Sequence, residues 1–149
     1  VGKSGNTFMG EYTHNMDDKN RLSIPVAFRE RSPSGFVLTT GLEKCLFLFT
    51  LDEWKRITEK LRRFPITKQD ARGFLRIFLA GATHCPLDAQ GRILVPRSLC
   101  EYAALKKATV LIGVLDRIEI WNIKVWEEYR KSVERQLGDI AEKLSELGL

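Results

Sequence analysis

Asp17-Asp18-Lys19-Asn20-Arg21-Leu22-Ser23-Ile24-Pro25 returns later in the chain as Asp88-Ala89-Gln90-Gly91-Arg92-Ile93-Leu94-Val95-Pro96. Aspartate, arginine and proline hold identical places, and the spacing from Arg21 to Arg92 is 71 residues. A second pair of stretches, Gly41 to Trp54 and Gly113 to Trp126, matches at a spacing of 72 residues, so one inserted residue reconciles the two offsets. Glycine, an apolar strand, a polar cap and a tryptophan recur in the same order. Self-similarity of this length marks a tandem duplication of one small module.

Within each copy the residues prescribe the same local structure. Asp88-Ala89-Gln90-Gly91 lies between short apolar stretches, as a hairpin loop does when its glycine takes a left-handed conformation before the return strand. Asn20 fills the Gly91 slot of the first copy, and asparagine is the next most tolerant residue for positive φ. The return strands, Arg21 to Ile24 and Arg92 to Val95, run into Pro25 and Pro96. Proline fits the first helical position, so short helices are expected over Val26 to Arg31 and Arg97 to Ala104. A second strand pair follows in each copy, Phe36 to Thr40 with Cys45 to Phe49, and Thr109 to Ile112 with Ile118 to Trp121.

Each copy then enters a helix. Thr50 and Glu53 have capping-box spacing, and Asn122 is the equivalent N-cap. Trp54, Ile57, Leu61 and Phe64 make one apolar helical face that ends near Pro65. A separate helix from Lys68 to about Ala80, capped by Thr67, bridges the copies. A last helix from about Ile123 to Leu147 carries Trp126, Tyr129, Val133, Leu137, Ile140, Leu144 and Leu147 at steps of three or four, a stripe suited either to its own domain or to a neighbouring subunit. The expected organisation is an extension or non-native remnant over 1–7, a first copy over 8–54, linking helices over 55–81, a second copy over 82–126, and a C-terminal amphipathic helix over 127–149. The fold class is α+β.

Totals narrow the class of partner. The chain has 149 residues, with 24 Lys+Arg against 19 Asp+Glu for a formal net charge of +5, which favours polyanions. The excess is concentrated between Lys55 and Arg76, where eight cations face only Glu59 and Asp70. Three cysteines without C-x-x-C spacing fit a reducing compartment, and so a cytoplasmic location. No apolar run is long enough to span a bilayer. Phosphate-loop, dinucleotide-binding, nucleophile-elbow and zincin motifs are missing from the sequence, and His14 and His84 with Cys85 or Cys100 do not make a zinc spacing. No enzyme activity, metal, cofactor or small-molecule substrate is expected.

The two D-x-x-x-R loops are the candidate site. Asp17 and Asp88, with Asn20 and Gly91, are read as turn-organising residues whose carboxylates take backbone amides. Arg21 and Arg92, each held by a local carboxylate at a loop tip, are pre-organised forks for phosphate oxygens or a guanine edge. Lys19 and Gln90 flank them as further DNA contacts. Lys68, Arg72 and Arg76, four residues apart, could track a phosphate backbone or simply be a solvated basic face. One module offers few contacts, so repetition within and across subunits is the physical route to useful affinity.

Phe8-Met9-Gly10-Glu11-Tyr12, the two D-x-x-x-R stretches with Cys85-Pro86-Leu87 before the second, and Arg117-Ile118-Glu119-Ile120-Trp121-Asn122 together resemble the MraZ family of bacterial regulators, from about Phe8 through Trp126. The resemblance implies two tandem AbrB-like swapped-hairpin β-barrel modules that assemble into ring-like homo-oligomers. It implies a sequence-specific, nucleoid-associated regulator that binds repeated elements in double-stranded DNA, at the promoter of the division and cell-wall gene cluster and of its own gene. By that likeness Arg21, Arg92, Asp17 and Asp88 form the DNA-facing surface. A second reading is a protein-interaction or antitoxin-like scaffold with secondary nucleic-acid binding.

Overall fold

The computed structural model describes residues 7–148, so the expectation of an extension over 1–7 falls, apart from Thr7, outside the described residues. Strands β1 (Glu11–Asn15) and β2 (Arg21–Ser23) flank the first turn, followed by helix α1 (Val26–Arg29) and strands β3 (Phe36–Thr40) and β4 (Leu46–Thr50). Helices α2 (Leu51–Leu61) and α3 (Gln69–Ala80) lead to the second copy. That copy contains β5 (Thr83–Cys85), β6 (Arg92–Leu94), α4 (Arg97–Tyr102), β7 (Ala108–Val114) and β8 (Arg117–Asn122). Helices α5 (Ile123–Arg135) and α6 (Leu137–Ser145) complete the described chain.

The copies are not two separate modules side by side. Six strands form one antiparallel sheet in the order β1-β7-β8-β4-β3-β5, while β2 and β6 pair with each other in a two-stranded ribbon. Each copy's first strand therefore lies against the third strand of the other copy, Thr13 opposite Val110 and Thr83 opposite Leu38. The order reads the same when the copies are exchanged. A pseudo-two-fold axis passes between β4 and β8, where Leu46 faces Ile120, Phe47 faces Glu119 and Leu48 faces Ile118. The strands do not close into a barrel: β1 and β5 stand at opposite ends of the sheet order. The expected hairpins are also corrected, since β2 and β6 do not return along β1 and β5.

One core serves both copies. Leu22, Ile24, Phe36, Leu38, Leu46 and Leu48 of the first pack with Ile93, Val95, Leu111, Ile118 and Ile120 of the second, all essentially sealed from solvent. Neither copy could bury these side chains alone. Gly113 serves this packing directly: a Cβ there would stand 2.3 Å from the backbone nitrogen of Met9, so only glycine lets the segment leading into β1 lie across β7.

Several local expectations shift. Pro25 and Pro96 stand at the N-cap, not at the first helical position, because their ψ values of 142° and 147° prolong the extended strand by one residue. Helices α1 and α4 begin at Val26 and Arg97 as expected but end two residues early, at Arg29 and Tyr102. Thr50 Oγ1 accepts the Glu53 N–H at 3.1 Å, as the capping-box spacing requires, but the Glu53 carboxylate turns to the Arg56 guanidinium instead of back to the cap. Asn122 caps α5 by accepting the N–H groups of Lys124 and Val125. Thr67 caps nothing: α3 starts at Gln69, and Lys68 is its N-cap, without a side-chain hydrogen bond. The expected single C-terminal helix is broken at Gln136, whose ψ of 7° leaves the helical region, two residues before Gly138.

Helix α2 buries its stripe as read, with Leu61, Ile57 and Trp54 against Phe49 and Phe78, while Phe64 stays largely outside beyond the helix end. The rings of Trp54 and Phe78 stack at 5.6 Å, and Thr39 Oγ1 donates to the Phe78 carbonyl. These contacts fix α3 on β3. At the equivalent place in the second copy, Trp126 and Tyr129 pack on Trp121, whereas Leu137 and Leu144 of α6 remain exposed.

Candidate nucleic-acid interface

Each turn is built by one aspartate. Asp17 Oδ1 accepts the N–H groups of Lys19 and Arg21, both at 2.9 Å, and its Oδ2 takes Arg21 Nε at 2.6 Å. Asp88 repeats this with the amides of Gln90 at 2.8 Å and Arg92 at 2.9 Å, and with Arg92 Nε at 2.8 Å. A carboxylate that accepts three donors is stabilised in its charged form. The Arg21 backbone amide, with the Arg21 guanidinium and the Lys19 amide behind it, holds the Asp17 carboxyl below its ordinary value of 3.8 against an opposing push from partial burial. The Arg92 amide and guanidinium and the Gln90 amide do the same for Asp88. Asn20 at φ 62° and Gly91 at φ 76° supply the left-handed residue that the sequence requires of both turns.

The ribbon brings the two turns together. Arg21 lies opposite Leu94 and Ser23 opposite Arg92, with Leu22 facing Ile93 at the centre. Two further bonds lock its ends: the Ile24 N–H donates to the Gly91 carbonyl at 3.0 Å, and the Val95 N–H to the Asn20 carbonyl at 2.9 Å. Arg92 Nη1 then stands 3.6 Å from Asp17 Oδ2, a contact between turns 71 residues apart in sequence. Both arginine side chains are about a quarter to a third exposed, Arg21 at 35% and Arg92 at 24%. They are neither sealed in the core nor aimed at opposite sides of the molecule. Lys19 and Gln90 are exposed beside them.

The basic residues of α3 are not joined to this pair. Arg72 folds back on the preceding loop, its Nη1 donating to the Ile66 carbonyl at 2.9 Å, and Arg76 is exposed. Among the described residues no hydrogen bond or ion pair connects Lys68, Arg72 or Arg76 to the turns. No cluster of three or more His, Cys, Asp or Glu suited to a metal occurs among them, and no described helix is long and apolar enough to cross a membrane.

One residue at the turns escaped sequence reasoning. Arg29, at the end of α1, donates Nη1 to the Ile24 carbonyl at 3.0 Å, and its guanidinium lies against Gly91, where a Cβ would meet Nη1 at 2.4 Å. Position 29 has no arginine counterpart in the second copy, so the repeat hid it. The glycine at 91 opposite asparagine at 20 was the trace left in the sequence.

Comparison with known proteins agrees with the repeat. The family described as "MraZ protein, putative antitoxin-like" matches this chain twice, over residues 7–77 and 78–146. A protein of Caldanaerobacter subterraneus subsp. tengcongensis, named transcriptional regulator MraZ, is 52% identical over 141 residues, which is 95% of this chain and 99% of that protein. Proteins of the same name from Desulfitobacterium hafniense (strain Y51) and Alkaliphilus metalliredigens are 50% and 46% identical over 142 residues, with the same coverage. The names are those of regulators and not of enzymes. Two matches in tandem and near-complete coverage at half identity establish that the chain belongs to the MraZ family.

Proposed function

We propose that the chain is a sequence-specific DNA-binding transcriptional regulator whose contact surface is the joined pair of turns. The observation that carries this reading is the 3.6 Å contact from Arg92 to Asp17, which makes one continuous surface of two repeated loops. The ion pair within each turn occupies Nε, Arg92 Nη1 leans toward Asp17 at 3.6 Å, and among the described residues neither arginine's terminal nitrogens make a hydrogen bond. The fork of each is thus oriented before DNA arrives and its outer edge is available to phosphate oxygens or a guanine O6/N7 pair. Asp17, Asn20, Asp88 and Gly91 hold the turns, Lys19 and Gln90 flank the forks, and Lys68, Arg72 and Arg76 are secondary phosphate contacts.

The exchanged strand pairing supports the AbrB-like swapped-hairpin description, here within one chain and as an open sheet. Two forks engage few phosphates, so useful affinity calls for several protomers on repeated DNA elements, in a ring-like homo-oligomer. The exposed stripe of α6 is suited to such assembly. Family membership favours the promoter of the division and cell-wall genes, including the protein's own, and a cytoplasmic, nucleoid-associated location. The second reading, an antitoxin-like interaction scaffold, is favoured by the family description and by the same uncovered α6 face.

Titration of the purified protein onto DNA from upstream of its own gene, against a scrambled duplex, separates the two. Regulation requires preferential binding with a steep dependence on salt, because phosphate contacts release counterions. Equal or negligible binding of both duplexes overturns the proposal.

A further inference from the structure

The two turns share the Asp–Arg design, but they are not held alike. Arg29 and Cys100 occupy the same place in their copies, four residues after Pro25 and Pro96. Both reach the carbonyl of the residue before that proline: Arg29 Nη1 to Ile24 at 3.0 Å, Cys100 Sγ to Val95 at 3.7 Å. A guanidinium is a charged multi-donor fork, whereas a thiol is a weak donor. Arg29 also extends past its acceptor to lie on Gly91, where a Cβ would stand 2.4 Å from Nη1 and where the φ of 76° also favours glycine. Ile24, in turn, donates its own N–H to the Gly91 carbonyl. Gly91 is thereby bonded by the Ile24 N–H and covered by the Arg29 guanidinium, and Arg92 is the next residue. The first turn has the matching bond from the Val95 N–H to the Asn20 carbonyl but no such cover, since the shorter Cys100 side chain bonds the Val95 carbonyl, and Asn20 keeps a side chain where Gly91 has none.

We infer that Arg29 is a positioning residue for the second turn alone, making Arg92 the stiff contact of the DNA surface and Arg21 the adjustable one. The inference rests on the proposed DNA-binding role of the turns for its consequence, but not for its physical content. A protomer with one rigid and one compliant fork presents an asymmetric face to DNA, although its fold is nearly two-fold symmetric.

The test has two arms. Amide hydrogen exchange of the free protein reads the clamp directly, comparing Gln90 and Arg92 with Lys19 and Arg21. The second pair should exchange roughly fivefold more slowly, as expected when the charged Arg29 bond to the Ile24 carbonyl is worth about 1 kcal/mol more than the weak thiol bond from Cys100 to Val95. Arg29→Ala should abolish the difference by speeding the second turn only. Gly91→Asn, which tolerates positive φ but collides with Arg29, should do the same, and Gly91→Asn with Arg29→Cys should make the second turn exchange like the first. Equal rates in the unaltered protein, or an Arg29→Ala effect spread over both turns, overturns the inference. In the DNA arm, Arg29→Ala should weaken binding about three- to tenfold and have no further effect in an Arg92→Ala background, while adding to Arg21→Ala. Additivity with Arg92→Ala assigns Arg29 to a direct phosphate contact and likewise overturns the inference. If the unaltered protein binds no DNA, the proposed function fails, and the exchange arm still decides the clamp.

Discussion

Replacing Arg92 by alanine tests the joined turns most directly. Within the two turns Lys19, Arg21 and Arg92 stand against Asp17, Asp18 and Asp88, with Arg29 against Gly91 and Lys106 and Lys107 beside the first turn. Removing Arg92 takes one cation from this surface and deprives Asp88 of its side-chain partner. The turn itself should survive, because Asp88 Oδ1 keeps the amides of residues 90 and 92. If the guanidinium meets a phosphate, losing it lowers the slope of log K against log salt by about 0.9 for each protomer engaged. Per protomer, the binding penalty should therefore shrink about three- to fourfold between 50 and 200 mM salt. If it reads a guanine edge, the slope changes little, the loss is about 1–3 kcal/mol, or roughly fivefold to 150-fold, and discrimination at one base pair relaxes. Fluorescence anisotropy at both salt concentrations, on the upstream duplex and on single-base variants of it, distinguishes these outcomes. Thermal unfolding within a few degrees of the unaltered protein confirms that the fold is intact. Binding equal to the unaltered protein at low salt on every duplex would refute the assignment of Arg92.

Four other expectations follow from the same geometry. Asp88→Asn, which retains an Oδ1 acceptor but removes a negative charge, should bind DNA at least as tightly as the unaltered protein, whereas Asp88→Ala should lose the turn and bind more weakly; the reverse order excludes the Asx role. Because the Asp17 and Asp88 carboxyls lie below 3.8, their contribution to stability is complete above that value and is lost only as pH falls through the lower folded one. Carboxyl carbon shifts followed by NMR should show midpoints below 3.8 for both, and midpoints at or above it contradict the three-donor cradle. Asn122→Ala should cost about 1–2 kcal/mol in denaturant unfolding through lost capping and more through the lost bond from Asn122 Nδ2 to the Ala104 carbonyl, so a smaller loss than for Thr50→Ala counts against the second role. Burial pushes the Cys85 thiol up to about 11 and raises those of Cys45 and Cys100, so a thiol reagent at neutral pH should modify all three only at the rate of unfolding.

Much of the candidate site was legible because its chemistry is local. An aspartate four residues before an arginine, with asparagine or glycine just before that arginine, prescribes a turn from contacts that span at most five residues. Both turns form with the expected donors. The caps at Thr50 and Asn122 were readable for the same reason. Thr67 misled because a good cap residue near a helix start is not bound to be the cap: Pro65 and its carbonyl, which accepts the Lys68 N–H, turn the chain one residue later. The break at Gln136 had no sequence signature beyond the glycine two residues on. The α3 cations were legible as a helical series, but how far they lie from the turns was not.

Taken alone, the amino-acid sequence determined that there are two copies, that each contains a carboxylate-held turn bearing an arginine, and which strand faces are apolar. Only the tertiary structure decided which strands meet. With near-identical patterns in both copies, β2 can satisfy its backbone and bury Leu22 against its own copy or the other, and periodicity of two is blind to that choice. Pairing β2 with β6 lets Leu22 and Ile93 enter one core large enough to bury both, and the same step sets Arg92 beside Asp17 and Arg29 upon Gly91. The turns are written in short-range hydrogen bonds, whereas the surface they make together exists only because burial of apolar area is shared across the repeat.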